Sequence, residues 1–198
     1  MSDLLASPSD LASFLQQDVD TATATLLLEC ATGAIQSLTG QRIVQVVDDV
    51  VTVDVDHESS ARWLYLPQRP VTAVSTVLVG ALPVADFTAQ LSRGRLWRLY
   101  GWRVGAFSHY YRGPTTVTVT YTHGYPAGHQ RLQVARQAAL ALAGSAYANP
   151  SGAVQERIDD YSVQYDAVAA RLDASPALQS LLQRTYGRPA GSVQFVKA

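Results

Sequence analysis

Residues 115–126 read TTVTVTYTHGYP, and the change of pattern within this stretch decides the fold. From 115 to 122, threonine alternates with valine or tyrosine, which is typical of a half-exposed antiparallel strand. Gly124 and Pro126 end the strand in a turn, and an alanine-rich helix is predicted from about 129 to 148. The stretch therefore marks the end of a β region and the start of a helical one.

The chain before this point is rich in strand-forming residues back to residue 42. Valines recur with a period of two between 44 and 55, and proline or glycine interrupts the pattern at intervals after that. The pattern predicts a small antiparallel β sheet or barrel over residues 42–126. We expect its further strands at 63–66, 71–79, 82–84, 91–100 and 107–111.

Two helices are predicted ahead of the β region. Ser7 is a suitable cap for the first, which should run to about residue 17. Asp18 or Asp20 caps the second, and Gly40 stands where a left-handed residue ends a helix. The second helix carries one apolar face. That face consists of Ala24, Leu27, Leu28, Ala31, Ile35 and Leu38.

A short leucine-rich helix is predicted between Ser175 and Gly187, and residues 157–165 are expected to be extended or irregular. The predicted fold class is therefore α+β. A small helical bundle, built from 1–41 and 127–187, carries the antiparallel β region of 42–126 as an insertion. Residues 188–198 form a C-terminal docking tail, because its apolar residues are unfavourable in water unless they are covered.

Charge is segregated along the chain. Residues 1–60 hold ten carboxylates and one arginine, a net charge of −9, whereas residues 61–155 hold nine arginines and one aspartate, a net charge of +8. Residues 156–198 are balanced, so the whole chain has a net charge of −1. Such segregation indicates an electrostatic partner, either nucleic acid or a neighbouring copy of the chain, unless folding mixes both segments on one surface.

The sequence has no recognisable catalytic or metal-binding motif. Its four histidines form neither His-x-His nor His-Glu-x-x-His, and Cys30 is the sole cysteine. Cys30 lies among apolar helical positions, which favours a packed core thiol. His123 with His129, or residues 54–56 with their two aspartates, are the remaining pairs that a cation could use. We expect no catalytic residue, no metal and no cofactor, and an aspartate pair that is simply solvated.

Residues 93–103 interleave arginine with aromatic residues. This composition is typical of a nucleic-acid groove, of a protein interface, or of a strand with one packed and one exposed face. On a strand, Leu96, Arg98 and Tyr100 would share one face. The candidate residues for a subunit or DNA interface are Arg93, Arg95, Trp97, Arg98, Trp102 and Arg103.

Four short motifs occur in an order that resembles a known family. T-G-x-R occupies 39–42, L-P-x-R-P-V occupies 66–71, Y-x-x-G-Y occupies 121–125, and D-Y-S-V occupies 160–163. Each motif alone is weak, but in this order they resemble the head–tail connector proteins (adaptor or head-completion proteins) of long-tailed bacteriophages, the siphoviruses. The resemblance covers about residues 7–186.

The resemblance implies a non-enzymatic structural protein of the virion. Members of the family combine a helical bundle with a β insertion and form a ring, usually of twelve copies, beneath the portal. Implied partners are further copies of this chain, the portal protein, a tail-side neck or terminator protein, and DNA that passes through the lumen. The implied location is the head–tail joint, after synthesis in the bacterial host cytoplasm. No signal-peptide pattern and no apolar stretch long enough for a membrane span is evident.

C-terminal segments in this family commonly engage the portal, so the resemblance points to Leu178, Leu181, Leu182, Tyr186 and Phe195 as portal-binding candidates. In a ring, the acidic N-terminal helices of one copy would then meet the basic β region of the next. The alternative function is a DNA-binding accessory protein that uses residues 93–112. An enzyme or ligand-binding module would need a deep polar pocket in the β region.

Overall fold

The structure is a computed structural model that describes residues 3–55, 62–102, 115–148, 155–158, 161–164 and 175–187. These residues divide into two compact units. The helical unit consists of residues 3–44 and 127–187, and the β unit of residues 45–126. The fold class is therefore α+β with antiparallel sheets, in agreement with the sequence.

The helical unit contains helices and one short hairpin. Its helices are α1 (Pro8–Leu15), α2 (Thr21–Thr39), α3 (Leu132–Ala148) and α4 (Pro176–Tyr186). Strands β8 (Gln155–Ile158) and β9 (Tyr161–Gln164) pair in the hairpin. This hairpin occupies the stretch for which extended or irregular structure was expected. No helix in the described part of the chain is long and apolar enough to cross a membrane.

Side-chain caps define where the first two helices begin. At α1, Ser7 Oγ accepts the backbone N–H of Asp10 while the Asp10 carboxylate accepts the backbone N–H of Ser7 at 2.9 Å, a reciprocal capping box. At α2, Asp20 rather than Asp18 is the cap, and its carboxylate accepts the N–H of Thr23 at 3.0 Å. These bonds satisfy backbone donors that have no partner inside the helix.

Left-handed residues end both helices. Gly40 has φ 64° and closes α2, as predicted. Gln16 has φ 56°, so α1 ends at Leu15 and is slightly shorter than expected. The last helix stops at Tyr186, before Gly187.

Helix α3 packs against α1, α2 and α4, most extensively against α2. Its small buried residues, among them Ala135, Ala139 and Gly144, allow close approach. A Cβ added at Gly144 would lie 3.3 Å from side-chain atoms of Phe14 and Leu15 on α1. Helix α3 is thus buried around more of its circumference than the single apolar stripe in its sequence predicts.

Cys30 is exposed on α2, so the prediction of a core thiol was wrong. The buried face of α2 consists of Ala24, Leu28, Ala31, Thr32, Ile35 and Thr39. At 100° per residue, Cys30 is rotated by about 200° from Leu28 and therefore faces away from this side. Because residues 26–28 are all leucine, the sequence alone did not show which side of α2 faces the core.

Two antiparallel sheets form the β unit. The first has strand order β1-β7-β3-β4 and the second β2-β6-β5. Their bounds are β1 Val46–Val55, β2 Trp63–Tyr65, β3 Val71–Val79, β4 Leu82–Pro83, β5 Phe87–Gln90, β6 Arg95–Arg98 and β7 Thr115–His123. The two ends of the unit are adjacent, because Val46 pairs with His123 and the N–H of Gln45 donates to the carbonyl of Tyr125 at 3.0 Å.

Both sheets contribute their inner faces to one core. The first sheet supplies Val53, Val77, Val117, Val119 and Tyr121 among others, and the second supplies Leu64 and Leu96. Alternate residues point away from this core, as the strand period of two requires. The β unit therefore has two outer faces, one on each sheet.

Two details of the β unit differ from the sequence-based expectation. The stretch 91–100 is not one strand, because a 3-10 turn (Leu91–Arg93) precedes β6. Strand β5 was not predicted, since its sequence, FTAQ, has no clear alternation. The described strands form open sheets and not the closed barrel that was one of the two forms considered. Residues 107–111, also expected to be a strand, lie outside the described residues.

Candidate interaction surfaces

The outer face of the second sheet is a platform of aromatic and arginine side chains, here called the Arg–Trp face. It is formed by Trp63, Tyr65, Arg95 and Trp97, with Thr88 and Gln90 beside them. The strand register sets these positions, because Trp63 pairs with Trp97 and Tyr65 pairs with Arg95 while Leu64 and Leu96 face the core. The platform residues are half-buried, apart from Thr88, which is exposed.

Direct contacts hold the platform together. The two indole rings of Trp63 and Trp97 are tilted with centroids 6.4 Å apart. Arg95 Cζ lies 3.9 Å from the centroid of the Trp63 ring, and Arg95 Nε donates to Gln90 Oε1 at 2.9 Å. A guanidinium held over an indole keeps its charge while losing little rotamer entropy on binding a partner. The Arg–Trp face is thus a preformed cationic and aromatic surface.

The other members of the predicted arginine stretch have different positions. Arg98 pairs with Asp86, with Nε 2.9 Å from Oδ1, and its Nη1 donates to the carbonyl of Gly101 at 3.3 Å. Arg93 is exposed in the 3-10 turn. Trp102 is 1% exposed and donates Nε1–H to the carbonyl of Arg62 at 3.0 Å, so its ring belongs to the core and does not reach a partner in this conformation. Arg103 lies outside the described residues.

Strand β1 forms an edge of the first sheet, and its outward positions combine valine with aspartate. This acidic edge is defined by Val47, Asp48, Val50 and Asp54. All four are exposed, Val50 by 61%. Within the described residues β1 pairs only with β7, and a register shift between Val46 and Asp49 interrupts that pairing. Unpaired backbone groups beside exposed valines are a favourable docking edge.

The portal-binding candidates on α4 are not equivalent. Leu182 is 0% exposed and Tyr186 is 7% exposed, and the Tyr186 hydroxyl donates to the carbonyl of Arg131. These two side chains attach α4 to the helical unit. Leu178 is half-buried, and Leu181 is 36% exposed. Leu181 is therefore the most exposed of these leucines, while Phe195 and the tail of 188–198 lie outside the described residues.

Carboxylates of the N-terminal helical region are partly matched within their own unit. Arg42 binds the carboxylate of Asp3, and Arg136 Nη2 lies 2.5 Å from Asp10 Oδ1. Although burial raises the pKa of Asp10, hydrogen bonds from Ser7 and the Arg136 guanidinium outweigh it and lower that pKa. Backbone and side-chain hydrogen bonds from Thr23 lower the pKa of Asp20. Folding therefore removes part of the charge segregation in this unit.

His123 is buried, and its Nε2 lies 3.0 Å from Asp49 Oδ2 on β1. This contact links β1 to β7, so a structural role is sufficient to account for the buried histidine. His129 Nδ1 accepts the N–H of Arg131 at 3.1 Å. Within the described part of the chain no three His, Cys, Asp or Glu side chains converge as metal ligands.

The helical unit has an open cavity of about 380 Å³ between its N-terminal segment and the start of α3. Apolar residues such as Leu5, Pro8 and Leu132 form most of its lining, and the Asp10–Arg136 pair lies among them. It is not the deep polar pocket in the β region that an enzyme or ligand-binding module would require.

Sequence reasoning found Arg95 and Trp97 of the Arg–Trp face and expected Asp54 to be solvated, but it missed Trp63 and Tyr65 and did not recognise the acidic edge as a docking edge. Trp63 lies more than thirty positions before Trp97 in the chain, and only the strand register brings the rings together. The period of two in β1 carries a usable signal, because valines at odd positions from 51 to 55 are inward and leave Asp54 outward.

Comparison with solved structures shows the fold. A chain in the neck of an empty GTA particle, with C6 symmetry, has a TM-score of 0.53 and 20% sequence identity over 95% of this chain and 93% of that one. A chain in the neck of the native particle, with C12 symmetry, gives 0.49 and 18% over 93% of each chain. A third, in the virion of the native gene transfer agent (GTA) particle, gives 0.48 and 19% over 94% and 95%.

No family model and no curated protein matches the chain. With the first of these structures the chain shares its fold over nearly its whole length. The similar chain is part of a particle neck.

Proposed function

We propose that this chain is a structural protein of the neck of a phage or phage-like particle. The observation that carries the proposal is the fold shared with a neck chain over 95% of the sequence. The ordered motifs support it independently, because they are features of the sequence alone. In this proposal the protein acts by assembly and not by catalysis, and it resides at the head–tail joint of the virion.

The protein forms a ring of identical copies. The related neck has C6 symmetry, which is compatible with a ring of six or twelve copies, and the connector resemblance favours twelve. Ring formation requires a heterologous contact in which one flank of a subunit fits the opposite flank of the next. DNA passes through the lumen, and a tail-side neck or terminator protein binds the far side of the ring.

Attachment to the portal uses α4 and the C-terminal tail. Leu182 and Tyr186 hold the helix on its own unit, and this leaves Leu181, with Leu178 beside it, as the apolar contact of the helix. Phe195 in the tail is the further candidate anchor for the portal. A Leu181→Asp variant should abolish copurification with the portal while its far-UV circular dichroism stays that of the wild type. Portal binding by Leu181→Asp at wild-type strength would contradict this assignment.

The experiment that tests the function is electron microscopy of particles made without this gene. Filled heads beside detached tails, restored to joined particles by the wild-type gene in trans, are the expected result. Normal tailed particles would refute the neck function.

The Arg–Trp face favours one second candidate, a DNA-binding accessory protein. Its charge would bind phosphates and its indole rings would stack on bases. Tight binding of the purified chain to unrelated duplex DNA, with an affinity that falls steeply with salt, would support this alternative.

A further inference from the structure

The β unit has two outer faces, one on each sheet, because both sheets turn their inner faces to one shared core. One outer face is the Arg–Trp face. The other belongs to the first sheet, carries threonines on β7 at positions paired with β1, and ends at the acidic edge. A heterologous ring needs two complementary surfaces on opposed flanks of one subunit. In a twelve-membered ring such flanks deviate from opposite by only about 30°.

The Arg–Trp face can supply positive charge to a binding partner. Arg98 is matched by Asp86, but the contacts of Arg95 are with neutral groups, the Trp63 ring and the amide oxygen of Gln90. Arg62 and Arg93 are exposed at the ends of the neighbouring strands. A partner that brings a carboxylate and small apolar side chains would satisfy the guanidinium and cover the indole rings.

The acidic edge supplies those groups. Asp54 and Val50 lie on the same side of β1, opposite Thr116 and Thr120 of β7. Asp48 stands at the register shift with φ 52°, and its carboxylate accepts the hydroxyl of Ser75 at 2.6 Å. Two identical acidic edges repel each other, so this edge is unsuited to pairing with the same edge of another copy and is suited to a basic surface.

We propose that the acidic edge of one copy docks on the Arg–Trp face of the next copy, and that this is the lateral contact of the ring. Asp54 binds Arg95, and Val50 packs against Trp63 and Trp97. The occupant of the Arg–Trp face is thus a second copy of this chain. This inference rests on the proposed ring function and replaces the N-terminal helices by β1 as the acidic partner of the contact.

The test uses charge reversal in the strain whose own gene is deleted. Arg95→Glu and Asp54→Arg, each supplied in trans, should lower the yield of joined particles at least about tenfold. The double variant Arg95→Glu/Asp54→Arg should recover most of the loss, because it restores opposite charges at one contact. Glu29→Arg is the matched control, since it makes the same type of charge change as Asp54→Arg at an exposed position of α2 and should leave the yield unchanged.

A second measurement does not depend on the charge variants folding. In a Cys30→Ser background, Val50→Cys together with Thr88→Cys should give a ladder of crosslinked multimers from joined particles under oxidising conditions. Either cysteine alone should give no ladder, because each contact between copies then carries a cysteine on one side only. Absence of a ladder from the double cysteine variant in joined particles would overturn the proposed contact.

The outcomes separate the two proposals. If deletion of the gene leaves tailed particles intact, the neck function fails. If wild-type complementation works and Arg95→Glu also complements fully, the neck function stands and the lateral contact is refuted. If each reversal fails and the double variant does not recover, the two residues are not opposite each other and the contact is also refuted. Duplex DNA binding that is lost in Arg95→Glu, without rescue by Asp54→Arg, would assign the face to DNA.

Discussion

Leu181 and Leu182 are adjacent leucines on α4, and replacing each by alanine should have very different effects on stability. The pair is well matched, because both variants remove the same atoms and change helix propensity by the same small amount. Leu182 is 0% exposed in the helical unit, whereas Leu181 is 36% exposed. We therefore expect Leu182→Ala to destabilise the helical unit and Leu181→Ala to leave it largely intact.

The magnitudes follow from burial. Leu182→Ala loses the transfer free energy of the removed groups and leaves a cavity, which together cost about 3 kcal/mol. Leu181→Ala removes groups that are partly hydrated and leaves no closed cavity, so its cost is about 1 kcal/mol. With a urea m-value of roughly 2 kcal/mol/M, the midpoints should fall by about 1.5 M and about 0.5 M.

The assay is urea unfolding of the purified chain, followed by circular dichroism at a helix-sensitive wavelength. Portal copurification of the same two variants provides the functional readout, and Leu181→Ala should weaken it although the fold persists. Equal midpoint shifts for the two variants would refute the assignment of Leu182 to the core and of Leu181 to the surface.

Three further predictions concern local structure. Gly33→Ala, in open space within α2, should stabilise the chain by about 0.5–1 kcal/mol in the same urea assay. Gly40→Ala, at φ 64°, should destabilise it by about 1 kcal/mol. Loss of stability in both variants would contradict the assignment of a left-handed backbone to Gly40 alone. Because the folded-state pKa of Asp20 lies below its ordinary value of 3.8, its contribution to stability is present above that value and lost as pH falls through the lowered pKa. Asp20→Asn keeps a capping group, so its unfolding midpoint should depend less on pH between neutrality and about pH 3 than that of the wild type, and an unchanged dependence would exclude this carboxylate. Gly144→Leu should force α1 away from α3 and cost about 1–3 kcal/mol by thermal unfolding, and a neutral effect would show that Phe14 is free to move aside.

Local signals predicted those parts of the fold that depend on local chemistry. The capping residue Ser7, the cap Asp20 as one of two options and the left-handed Gly40 each act within a few residues of their position. Strand β3 was predicted with its observed bounds because Pro70 and Gly80 bracket it. Such features could be predicted because neighbouring residues are sufficient to determine them.

Features that depend on distant residues could not be predicted. Trp63 and Trp97 face each other because of the strand register, which no local sequence pattern encodes. Similarly, Leu181 and Leu182 look alike in the sequence, and only packing of α4 on its unit distinguishes the anchor from the exposed residue. Arginine and aromatic composition pointed to the right strand, but the arrangement around Arg95 needed three strands to be placed together.

The adjacent ends of the β unit have a consequence for the nascent chain. Helices α1 and α2 leave the ribosome first, but their main partner, α3, follows only after the whole of 45–126 has been translated. With that stretch unfolded, joining its ends would cost about 4 kcal/mol of chain entropy. Once β1 and β7 are paired, Val46 and His123 are neighbours, and most of this cost has already been met. Folding of the β unit thus brings the parts of the helical unit together, and we expect mutations in the β core to delay assembly of the helical unit.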